Sequence, residues 1–74
     1  MKIRVRLFAT LRDGRQKEHL MEFNRPVSVH DIINQLGINA RDVAILLVNG
    51  MDRPLDNELK EGDIVAIFPP VGGG

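Results

Sequence analysis

Cysteine is missing from all 74 residues, and its absence removes disulfide cross-links, a thiol nucleophile and the thiolate ligands of a structural zinc site. No stretch approaches the roughly 20 apolar residues needed to span a bilayer. The opening Met1-Lys2-Ile3-Arg4-Val5-Arg6 alternates charged with apolar side chains, where a secretion signal needs an unbroken apolar segment. A cytoplasmic location without a membrane partner is therefore expected. Net charge is absent as well: ten Lys and Arg balance ten Asp and Glu, so no long-range positive field attracts nucleic acid. No Gly-rich phosphate loop opens a helix, and no His and carboxylates fall at metal-ligand spacing. His19 and His30 stand alone and read as ordinary histidines. Neither a bound metal nor a bound cofactor is expected, and the chain carries no catalytic equipment of its own.

What is present suffices for one fold. With 43% hydrophobic and 27% charged residues the chain has ordinary globular composition. A domain this small buries only about 60% of its unfolded surface. Without cross-links its stability must come from one well-filled core. Residues 1–70 are expected to form that domain and 71–74 a flexible tail.

Lys2 to Phe8 alternates polar and apolar residues, which predicts a half-buried strand with Ile3, Val5 and Leu7 facing inward. The Asp13-Gly14 pair offers a turn, and Lys17 to Phe23 a second strand that closes a hairpin. Pro26 ends it for want of an N–H. Ser28 is placed to cap a helix, with Asp31 three residues on and Val27 and Ile32 as the hydrophobic staple. Val29, Ile32, Ile33 and Leu36 then follow the spacing of one helical face, and Gly37 stands where a terminating glycine belongs. Val43 to Val48 reads as a central strand ended by Asn49-Gly50, and Met51 to Arg53 as a short return strand. Pro54 to Leu59 turns over the end of the core, Ile64 to Phe68 is the last strand, and Pro69-Pro70 stops it. Strands before and after one crossover helix predict an α+β fold. It is one mixed sheet with the helix on one face, the first and last strands parallel: the β-grasp arrangement. The expected core is Ile3, Val5, Leu7, Ile32, Ile33 and Leu36.

Two apolar strands leave a question, because only one face of a sheet can meet the helix. Either Val43, Ile45 and Leu47 or Ala44, Leu46 and Val48 point away from it, and Ala66 and Phe68 oppose Val65 and Ile67. If Phe8 and Phe68 share the outer face, the domain exposes an apolar patch of the kind that contacts other proteins. A longer loop covering it is the other reading. The stripe Lys2, Arg4 and Arg6 reads first as a solvated strand face, and second as a docking surface for an acidic partner.

The end of the chain carries the sharpest signal. Three terminal glycines would arise by chance in about three chains in ten thousand at average usage. Glycine lacks a Cβ, so a glycine terminus can pass through a channel too narrow for side chains, while Pro69-Pro70 favours a stiff, extended base. Six extended residues at roughly 3.3–3.6 Å each carry Gly74 about 20 Å from the domain.

Leu7-Phe8-Ala9-Thr10-Leu11-Arg12, Val48-Asn49-Gly50 and the run from Gly62 through Phe68-Pro69-Pro70-Val71 to Gly72-Gly73-Gly74 resemble the ubiquitin-like sulfur carriers. That family includes the small subunit of molybdopterin synthase (MoaD) and the thiamine carrier ThiS, and the resemblance leans toward the former. It implies that Gly74 is the reacting residue, its carboxylate adenylated and then converted to a thiocarboxylate. Gly72 and Gly73 would be read by the partners, and Phe8, Phe68, Pro69, Pro70 and Val71 would dock them. The implied partners are a ubiquitin-activating-type adenylyltransferase, which uses ATP, and the molybdopterin synthase large subunit or a thiazole synthase. On this reading the chain is the carrier subunit of a sulfurtransferase in molybdenum or tungsten cofactor synthesis. The alternatives are a thiamine carrier, a protein modifier joined through Gly74 to lysines, and a binding module with no covalent role.

Overall fold

A computed structural model of the chain describes residues 1–70. The expectations placed on Val71 and Gly72 to Gly74 lie outside the described residues. Five strands, β1 (Lys2–Leu7), β2 (Glu18–Glu22), β3 (Ile45–Val48), β4 (Met51–Asp52) and β5 (Ile64–Phe68), form one sheet in the order β2-β1-β5-β3-β4. β1 pairs antiparallel with β2 and parallel with β5, and β3 pairs antiparallel with both β5 and β4. The helix α1 (Val29–Leu36) joins the two halves. The expected mixed sheet with its central parallel pair is thus observed.

The local signals act as anticipated. The Asp31 carboxylate accepts the Ser28 N–H at 2.9 Å, satisfying a donor at the helix start, and Val27 and Ile32 are both buried beside it. At the other end Gly37 adopts φ +74°. Gly37 and Ile38 then donate backwards to Asn34 and Ile33, the paired bonds of a glycine-terminated helix. Asn49 and Gly50, at φ +53° and +81°, make the tight reversal that sets Val48 opposite Met51.

One core cluster joins sheet and helix: Ile3, Val5 and Leu7 of β1, Val29, Ile32 and Ile33 of α1, Leu46 and Val48 of β3, and Val65 and Ile67 of β5. Leu11, Met21, Val27, Ile38 and Leu59 complete it. Leu36 is a correction. It is only half-buried and packs at the margin, because the left-handed turn at Gly37 sends Ile38 back into the core in its place. β3 also starts at Ile45, later than Val43, since a short 3-10 turn at Ala40–Asp42 is closed by the bond from Val43 N to Ala40 O. Likewise, the link between β1 and β2 contains a 3-10 turn at Ala9–Arg12, which buries Leu11. Among the described residues no helix is long and apolar enough to cross a membrane.

Candidate functional site

The choice left open for β3 is resolved by its register with β5. Leu46 pairs with Ile67 and Val48 with Val65 on the helix side, while Ile45 pairs with Phe68 and Leu47 with Ala66 on the outer side. The parallel pairing of β1 with β5 then sets Arg4 beside Ile64 and Arg6 beside Ala66 on that same outer face. The apolar patch remains open, with Ile45 46% and Ile64 41% exposed, and Leu47, Ala66 and Phe68 half-buried among their neighbours.

Phe8 and Phe68 meet at one end of this face. The Phe8 N–H donates to the Ile67 carbonyl at 3.2 Å, continuing the parallel ladder one residue beyond β1. The two rings stack with centroids 4.3 Å apart and planes inclined by 10°. Two guanidinium groups lie against the Phe8 ring, with Cζ of Arg12 at 5.4 Å and of Arg6 at 5.9 Å from its centroid. Arg12 is held there because its Nε donates to the Leu7 carbonyl at 2.8 Å, and because the 3-10 turn folds the chain back. That turn begins at Ala9 with φ +53°, a left-handed conformation uncommon for a residue with a Cβ.

The chain leaves the sheet directly from this stack. The Phe68 carbonyl accepts the last ladder bond, from Ala44 N at 2.8 Å, and Pro69, lacking an N–H, ends the pairing. Pro69 and Pro70 line a groove of about 410 Å³ together with Thr10, Leu11, Arg15, Gly37, Ile38 and Asp42. Arg15 closes one wall of it. Its guanidinium donates to the carbonyls of Leu36 and Gly37, both at 3.1 Å, and of Leu11 at 3.3 Å. One side chain thus ties the end of α1 to the turn that carries Arg12.

The structure therefore brings Phe8, Phe68, Pro69 and Pro70 together, while Val71, Gly72, Gly73 and Gly74 lie outside the described residues. Arg6 belongs to the stripe whose second reading from the sequence is a docking surface for an acidic partner, whereas nothing in the sequence places Arg12 or Arg15 beside the aromatic pair. Among the described residues no cluster of three His, Cys, Asp or Glu could hold a metal. His19 lies at the sheet margin with Nε2 3.0 Å from the Gln16 carbonyl, and His30 is exposed.

A model of the ThiS family matches residues 5–74, from the first strand through the terminal glycine. The chain belongs to the ThiS family. Among solved structures it is similar to the Pyrococcus furiosus protein assigned as molybdopterin converting factor, subunit 1. The two share 30% identity over 96% of this chain and 99% of that one, with a TM-score of 0.74. Haloferax volcanii SAMP1 shares the fold at TM-score 0.77 and 24% identity, each chain covered in full. So does a chain of the complex between subunits 1 and 2 of the Helicobacter pylori molybdopterin-converting factor, at TM-score 0.66 and 22% identity, again over both full lengths. This chain is thus a ubiquitin-like protein of the MoaD/ThiS sulfur-carrier family.

Proposed function

We propose that the chain carries sulfur for molybdopterin synthesis on the carboxylate of Gly74. An activating enzyme of the ubiquitin-activating type joins that carboxylate to the α-phosphorus of ATP and releases pyrophosphate. The outer sulfur of a protein-bound persulfide then displaces AMP from the acyl carbon to form an acyl disulfide. A second thiol attacks the donor's inner sulfur, releasing the thiocarboxylate and leaving a disulfide on the donor. Delivered into the molybdopterin synthase large subunit, the thiocarboxylate gives dithiolene sulfur to a pterin precursor. Catalysis belongs to the partners, and this chain supplies the reacting group, its reach and the docking face.

One observation carries the reading: the open apolar face ends at the Phe8–Phe68 stack, immediately before the two prolines that lead to the glycine terminus. A partner seated on that face receives the terminus at its edge. Family membership that includes the tail supports the carrier role, and the Pyrococcus and Helicobacter neighbours favour the molybdopterin branch with a large subunit as partner. The likeness to SAMP1, a small archaeal modifier protein, favours a second reading in which Gly74 is joined to lysines. Higher-mass conjugates in a lysate blot distinguish it. A thiamine role instead predicts capture of a thiazole synthase.

Phe68→Asp tests the docking face. Loss of the stacked ring and of its apolar contact should weaken binding to the large subunit by about 2 kcal/mol or more, while the melting curve stays near that of the parent because Phe68 is outside the core cluster. Titration of the purified large subunit with each form checks it. Unchanged affinity would make Phe68 an ordinary surface residue.

A further inference from the structure

The sequence as a whole is neutral, yet charge is unevenly placed beside the aromatic stack. A cleft of about 100 Å³ opens there, lined by Arg6, Leu7, Phe8, Arg12, Lys17 and Glu18. Three cations face one carboxylate, and that carboxylate is already shared. Glu18 sets Oε1 3.5 Å from Arg4 Nε and Oε2 3.6 Å from Arg6 Nε. Among the described residues neither Arg12 nor Lys17 has a carboxylate partner. Arg12 is pinned through Nε to the Leu7 carbonyl, so its guanidinium is held in place before anything binds, and little side-chain freedom remains to be lost on association.

We propose that this cleft receives an Asp or Glu side chain of the protein that docks on the outer sheet face, paired with Arg12 and supported by Arg6 and Lys17. The inference rests on the docking role proposed above and specifies the partner's chemistry. The cleft is far smaller than the roughly 300–1,000 Å³ of a small-molecule pocket, but one carboxylate-bearing side chain fits its size and sign. An arginine fork holds a carboxylate in a defined orientation. A pair formed against Phe8, whose ring stacks on the last residue before Pro69, therefore fixes the angle at which the terminus leaves toward the partner. Apolar contact supplies the area, and the ion pair supplies the direction.

The test titrates the purified molybdopterin synthase large subunit with parent and variants over a series of salt concentrations, alongside zero-length carbodiimide cross-linking of the parent complex. Arg12→Gln should weaken binding at least about tenfold at low salt and flatten the salt dependence. Arg12→Lys should recover only part of the loss, since an ammonium lacks the fork. Arg53→Gln, at the far edge next to β4, should bind like the parent. Carbodiimide should join Lys17 to an Asp or Glu of the large subunit, a result that does not depend on any variant folding. Parent-like affinity of Arg12→Gln, or a complex that forms without a Lys17 cross-link, would overturn the proposal. If Phe68→Asp loses binding while Arg12→Gln does not, the docking face stands and the cleft has no carboxylate guest. If the parent itself fails to bind, the docking reading falls and the cleft proposal with it.

Discussion

One alanine appended after Gly74 should abolish activation of the carrier while leaving its fold intact. The extra residue moves the carboxylate by roughly 3.5 Å and places a Cβ where the parent has none. A misplacement of even 1 Å at a reacting centre can cost about a hundredfold, so the rate of ATP–pyrophosphate exchange by the activating enzyme should fall by at least that factor. Deleting Gly74 should fail similarly, by leaving the carboxylate one residue short. Both variants should melt like the parent, because every member of the core cluster lies between Ile3 and Ile67. Equal exchange rates for all three proteins would show that the terminus is not read to the residue.

Ile32→Ala should have the largest effect on stability. Ile32 is fully buried on α1, in the one core cluster that also holds side chains of β1, β3 and β5. Truncating such a residue costs about 2–5 kcal/mol through lost burial and the cavity left behind. A natural domain has only about 5–15 kcal/mol in total, and this one has no cross-link to compensate. The denaturation midpoint should drop sharply without a change in slope. A loss below about 0.5 kcal/mol, the range of surface substitutions, would mean that the helix presents another face to the sheet.

The helix was legible because its signals are local: Ser28 and Asp31 at one end, Gly37 at the other, and Ile32 and Ile33 on one face between them. The alternation of β1 and the Asn49-Gly50 reversal are equally short-range. The direction in which β3 faces was not legible, since Val43 to Val48 is apolar on both sides and only its pairing with β5 makes Leu46 and Val48 the buried pair. Leu36 was misplaced for a related reason: helical spacing takes no account of Ile38, which re-enters the core after the Gly37 turn.

At the site, the sequence offers the aromatic pair as one of two readings, because its stacking depends on parallel contact between residues sixty apart in sequence. Arg12 and Arg15 were harder still. Both act by donating to backbone carbonyls, of Leu7 and of Leu11, Leu36 and Gly37. Every residue offers a carbonyl, so no pattern of side chains marks the acceptor. A positive φ at Ala9 is likewise silent in sequence, since the residue that usually signals it is glycine.

Conversion of the Gly74 carboxylate to a thiocarboxylate can be read directly by mass. The direct measurement incubates the unmodified chain with its cognate activating enzyme, ATP, a persulfide sulfur donor and a thiol that cleaves the acyl disulfide, then records intact mass and the mass of the C-terminal peptide. One oxygen should be replaced by sulfur, located in the peptide that ends at Gly74 and dependent on ATP. A chain that never gains sulfur, under conditions where the same enzyme and donor thiolate another carrier of the family, would contradict the carrier role.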